Sequence, residues 1–155
     1  MILSIDQASN KAGCSLWSKA GQLHATAALT YGNPADPYSR RLQGLAKQLE
    51  SWLLTQPTVT QIIFETTKPK LVLASVGAFL TAPSLNVKLH ETASFVSPST
   101  WKKWAQLHGA TGAFKLIKGV KALRETGFDV DGYGIDSEDV ADSVLIYLAW
   151  RERKC

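Results

Sequence analysis

Four acids in this sequence stand where they could bind cations and support phosphodiester hydrolysis. Asp6 closes the apolar stretch ILSID, Glu65 closes TQIIFE, and Asp139 and Asp142 both lie in DVAD. The first two end short apolar runs that read as buried strands. The last two are three residues apart in a helical segment, so they share a face about one turn apart. Asp142 is flanked by apolar residues in VADSVLI, where a carboxylate is costly unless it is paired or holds a metal. If the four meet in one pocket, mutual repulsion raises their pKa values and weakens folding until cations bind. An all-oxygen set suits Mg²⁺ or Mn²⁺, and two such ions stabilise the attacking and leaving oxygens of a phosphodiester displacement. Three of the acids also have an ordinary reading: a turn residue for Asp6, a solvated strand end for Glu65, a helix-dipole partner for Asp139. Asp136, three residues before Asp139, competes for the metal assignment but suits a helix cap beside Ser137.

Elements must then carry these acids together. ILSID is a strand, and GCSLWSKAGQLHATAAL reads as a hairpin around Lys19, Ala20 and Gly21. YSRRLQGLAKQLESWLL places Leu42, Leu45, Leu49, Trp52 and Leu53 on one helical face. TQIIFET is a further strand, and Lys68-Pro69 starts a helix through Phe79, with Pro69 in the first turn. NVKLHETASFV contains a fifth strand. SPSTWKKWAQLH is a helix with Ser97 as N-cap and Pro98 at the first position. AFKLIKGVKALRETG reads as one helix ending at Gly127. The last helix, in IDSEDVADSVLIYLAWR, is capped by Asp136 or Ser137 and carries the apolar stripe Val140, Val144, Leu145 and Leu148. No repeat or linker interrupts the chain, so residues 1–155 read as one α/β domain, a mixed sheet with helices on its faces. If the strands ending in Asp6 and Glu65 are parallel neighbours, both acids lie at one end of the sheet, where ligands of α/β folds bind.

Charge is segregated along the chain although the net value is only +4. From Lys68 to Arg124 there are nine Lys or Arg residues and the single acid Glu91, whereas Glu125 to Asp142 holds seven acids and no base. A basic surface for a polyanion beside an acidic metal pocket gives that pattern. Lys115, Lys118, Lys121 and Arg124 recur every third residue, which on one helix makes a basic stripe facing backbone phosphates. Trp101 and Trp104 flank Lys102 and Lys103, and indoles at this spacing read as core. His24, His90 and His108 are isolated and suggest no shared chemistry. Cys14 and Cys155 lack metal-ligand spacing, which argues against zinc. No apolar run approaches the roughly 18 residues of a membrane span, and the N-terminal residues do not read as a secretory signal. A cytoplasmic location is expected.

A three-stranded N-terminal hairpin sheet with Asp on its first strand, then Glu in IIFET, then DVAD opening the last helix together resemble the RNase H-like nuclease superfamily. Within it the chain resembles the RuvC-type Holliday junction resolvases, supported by VSPSTWKKW and TGAFKLIKGV ahead of the acidic helix. The length and loose match suit a phage-type member. The resemblance implies an RNase H-like mixed five-stranded sheet with helices on both faces. It also implies that Asp6, Glu65, Asp139 and Asp142 hold two Mg²⁺ or Mn²⁺ ions, with Asp6 common to both. Lys115 joins the catalytic set, and Lys102 and Lys115 sit near the scissile phosphate or the DNA backbone. The implied activity is paired nicking of four-way junctions by a homodimer, leaving 5′-phosphate and 3′-hydroxyl ends. Directly after Glu65 the sequence departs from the bacterial pattern: ETTKPK carries Lys68 and Lys70 in place of an aromatic residue. The expected DNA-binding set is Lys68, Lys70, Lys102, Lys103, Lys115, Lys118 and Lys121.

Three alternatives stay open at this point. One is a related nuclease for other branched DNA or for RNA–DNA hybrids. A junction-binding protein without catalysis is another, but it gains nothing from four negative charges near phosphate. An actin-like or sugar-kinase-like ATPase also begins with Asp on the first strand, but it needs Gly-rich phosphate loops in two duplicated halves.

Overall fold

The computed structural model describes residues 1–66 and 93–154. The helix expected from Lys68 to Phe79, together with Lys70 and His90, lies outside the described residues. Five strands form one sheet: β1 (Ile2–Gln7), β2 (Lys11–Trp17), β3 (Leu23–Thr30), β4 (Gln61–Glu65) and β5 (Ala93–Val96). Their order across the sheet is β3-β2-β1-β4-β5. The β1–β2 and β2–β3 pairs are antiparallel, while β1–β4 and β4–β5 are parallel. This is the expected mixed five-stranded sheet.

The helices α1 (Tyr38–Leu53), α2 (Pro98–Leu107), α3 (Gly119–Glu125) and α4 (Glu138–Lys154) cover it. Strand alternation decides which side each covers. Leu3 and Ile5 of β1, Cys14 and Leu16 of β2, and Ile62 and Phe64 of β4 pack with Leu45 and Leu49 of α1. Ile2, Trp17 and Ile63 turn the other way and pack with Trp101 of α2, Leu123 of α3, and Val144 and Leu145 of α4. Helices therefore lie on both faces. Helix α1 buries Leu42, Leu45, Leu49 and Leu53 as its spacing predicts. Helix α2 starts as expected, with the Ser97 hydroxyl accepting from the Thr100 N–H and Pro98 at the first position.

Two readings need correction. The apolar stripe of α4 is wider than predicted: Ala141, Ile146, Tyr147 and Ala149 are buried too. The helix lies between the sheet and the helices α2 and α3, so more than one face is covered. Its cap is Ser137, whose hydroxyl accepts from the Val140 N–H. The single helix expected over AFKLIKGVKALRETG is broken. Phe114–Leu116 forms one 3₁₀ turn, Lys118 is extended, and α3 begins only at Gly119 with φ +72°. Glycine adopts that left-handed conformation without a Cβ penalty. The break buries Ile117 while leaving Phe114 40% and Leu116 73% exposed. None of the described helices is long and apolar enough to cross a membrane.

Candidate active site

Pleat and register bring the acids to one end of the sheet. Ile5 pairs with Phe64 across the parallel β1–β4 ladder, and Asp6 and Glu65 are the next residue on each strand. Asp6 has the parity of Ile2, and Glu65 that of Ile63, so both point to the α4 face. Helix α4 presents Asp139 and Asp142 from its first turns. Gly13 of β2, which pairs with Asp6, lets it approach: a Cβ there would run into the Asp139 backbone.

The electrostatics are those of crowded carboxylates. Burial pushes the Asp6 carboxyl up to about 8, and repulsion from Glu65, Asp142 and Asp139 adds to it. Burial likewise pushes Asp142 up to about 7, despite a hydrogen bond from the Gly119 N–H, with Glu65, Asp139 and Glu138 contributing. Glu65 is raised by burial, against the pull of the Trp101 indole and Lys102.

Three of the four acids have protein donors. Trp101 Nε1 donates to Glu65 Oε1 at 2.7 Å. The Gly119 N–H donates to Asp142 Oδ1 at 2.5 Å, and Lys11 Nζ lies 3.0 Å from Asp139 Oδ1. No hydrogen-bond donor among the described residues supports the Asp6 carboxylate. No three potential ligands among the described residues form a ready-made metal cage. The donor set still fits a hard divalent cation. Glu65, Asp142 and Asp139 all act on Asp6, and among the described residues Lys11 offsets its charge.

The basic residues divide. Lys102 is half-buried over the Trp101 ring, 5.4 Å from its centroid, and donates to the Lys115 carbonyl. This places it beside Glu65, on which its charge acts. The Lys115 side chain is exposed, and nothing among the described residues ties it to the four acids. Lys103 is exposed along a groove with Trp104 and Leu107, and Lys118 is exposed just ahead of α3. The proposed single stripe is therefore a correction: Lys115 and Lys118 precede α3, Lys121 faces Glu125, and Arg124 bonds Asp131. Lys68 and Lys70 lie outside the described residues. Asp136 is exposed and is not among the acids acting on Asp6 or Asp142.

Several contributors escaped sequence reasoning. Trp101 is buried as expected of a core residue, yet its N–H also holds Glu65. Glu138 accepts from the Val120 N–H at the start of α3. Lys11 had a usable signal. Alternation along β2 puts Lys11, Gly13, Ser15 and Trp17 on one face, the face that Asp6 shares.

No known family's sequence model matches the chain, and no curated protein matches it. Among solved structures it is similar to RuvC of Thermus thermophilus, with a TM-score of 0.60 and 16% identity over 99% of this chain and 95% of that one. It is also similar to T. thermophilus RuvC in complex with a Holliday junction substrate, with a TM-score of 0.56 and 16% identity over 99% and 94% of the two chains. The likeness is one of fold: the chain has the RNase H-like architecture of RuvC.

Proposed function

We propose that this chain is a metal-dependent, structure-selective endonuclease that cleaves four-way DNA junctions by paired symmetric nicks, leaving 5′-phosphate and 3′-hydroxyl ends. The observation that carries this reading is the meeting of Asp6, Glu65, Asp139 and Asp142 at one sheet end, with raised carboxyl pKa values, on the fold of RuvC. That a solved RuvC structure contains a Holliday junction supports this choice of substrate.

Asp6 would be shared between two ions, Glu65 and Asp142 would hold one each, and Asp139 would complete the site. Bound Mg²⁺ or Mn²⁺ would supply Lewis-acid activation of water and charge neutralisation at the phosphate. The protein's own residues do the positioning. Trp101 fixes one oxygen of Glu65 and the Gly119 N–H fixes one oxygen of Asp142, leaving the other oxygen of each for coordination. Lys102, stacked on Trp101, brings a positive charge to the same edge for the DNA backbone. A four-way junction is two-fold symmetric, so paired nicks need two copies of the site, most simply a homodimer.

The test is cleavage of a synthetic four-way junction in Mg²⁺ or EDTA, with a linear duplex and an RNA–DNA hybrid alongside. Paired nicks on the junction alone, lost in EDTA, are the expected result. Cutting of the hybrid instead would keep the metal site and move the function to RNA removal. No cleavage in Mg²⁺ or Mn²⁺ would leave junction binding without catalysis as the better account.

A further inference from the structure

The acids differ in the kind of partner that holds them. Glu65 and Asp142 accept from neutral N–H groups, of Trp101 and Gly119. Asp139 is held by a full charge, the Lys11 ammonium, 3.0 Å from Oδ1. A neutral donor can keep its oxygen while a cation takes the other one. An ammonium cannot sit comfortably beside a divalent ion on the same carboxylate, because two positive charges then share one acceptor. The Lys11 side chain is 49% exposed and that of Asp139 26%. The flexible lysine stem can therefore swing away without opening the core.

We propose that Lys11 is a built-in counter-ion of the carboxylate site: it holds Asp139 until a divalent cation replaces it, and then turns its ammonium to the DNA phosphate. The inference rests on the reading of the four acids as a metal site. Its basis in the fold is β2 alternation, which puts Lys11 on the α4 face, two residues before Gly13, where α4 comes closest. From there its charge also reaches Asp6 and Asp142, so it offsets the charge of three of the four acids. Metal uptake then delivers a freed positive charge to the mouth of the pocket, where a phosphate approaching the acids most needs one.

The test compares wild type with Lys11→Met and Lys11→Arg in two measurements. Calorimetric titration with Mn²⁺ in the absence of DNA is the first. Lys11→Met should bind Mn²⁺ about two- to fivefold more tightly, the worth of an exposed ion pair, while Lys11→Arg keeps the wild-type affinity. Binding of a four-way junction in Ca²⁺ at low salt is the second. It should weaken in Lys11→Met and hold in Lys11→Arg. Unchanged or weaker Mn²⁺ binding by Lys11→Met, with wild type binding normally, overturns the counter-ion role alone. Tighter Mn²⁺ binding with unchanged junction affinity overturns the phosphate role. A wild-type protein that takes up no Mn²⁺ overturns the metal site itself and this inference with it. Lys11→Gln serves the same comparison if Lys11→Met does not fold.

Discussion

At the scale of single residues, Asp142 has two oxygens for two roles. One accepts the Gly119 N–H, and in the proposed site the other would hold a cation. Asp142→Asn removes the charge that a metal needs and that repels phosphate. Cleavage should fall by more than the roughly 100-fold that loss of an outer-sphere partner costs. Junction binding, measured in Ca²⁺ by gel shift, should be kept or tightened; a folded variant that no longer binds would count against the metal role. Asp6 makes a second, pH-dependent prediction. An unfolded aspartate titrates near 3.8, whereas Asp6 in the fold is pushed up to about 8 and Asp142 to about 7. The folded state thus keeps protons that the unfolded chain releases. Their contribution to stability is fully present below about pH 4 and is lost as pH rises through 7 and 8. In EDTA the thermal midpoint should therefore be lower near pH 8.5 than near pH 5, and Asp6→Asn should narrow that gap. A gap of the same size in Asp6→Asn would remove Asp6 from the site's electrostatics.

At the scale of elements, the break before α3 positions Asp142. Gly119 takes φ +72°, aims its N–H at Asp142, and leaves room for Glu138, whose carboxylate a Cβ would overlap. Gly127 also has positive φ, at +85°, but nothing lies near its absent Cβ. The two glycines separate backbone strain from crowding. Gly127→Ala should cost about 1–2 kcal/mol, the penalty for a left-handed non-glycine residue. Gly119→Ala should cost more in urea unfolding and should also impair cleavage, because the Glu138 carboxylate beside Asp142 must move. Equal costs with intact cleavage would show that α3 does not position the acids. The clue was present in KLIKGVKAL, since a glycine inside a helical run weakens the case for a continuous helix. Spacing of basic residues alone could not reveal the break.

At the scale of the molecule, the segregated charge of the sequence becomes an acidic site edged by lysines. Lys102 lies beside Glu65, while Lys115 and Lys118 are exposed along the turn that leads to α3. Lys121 and Arg124 already face acids of their own, Glu125 and Asp131. Junction binding should weaken steeply with salt. Replacing Lys102 and Lys118 by alanine should lower the slope of log affinity against log salt by about one unit each. Lys121→Ala should change it less. A slope unmoved by Lys102→Ala and Lys118→Ala would place the DNA elsewhere on the surface.

What the sequence alone determined were the features set by local periodicity. Short apolar runs mark β1 and β4, helical spacing marks α1 and α4, and Ser97-Pro98 marks the start of α2. From these follow the mixed sheet, the helices on both faces, and acids at element ends that a parallel β1–β4 pair could bring together. Tertiary structure alone decided the partners that come from distant parts of the chain. Trp101 donates to Glu65 across 36 residues of sequence, and Gly119 donates to Asp142 across 23. Lys11 reaches Asp139 because Gly13 admits α4 against β2. Periodicity tells which way a side chain faces within its own element, but not which donor from another element will meet it there. That depends on how closely the backbones pack and where the chain turns.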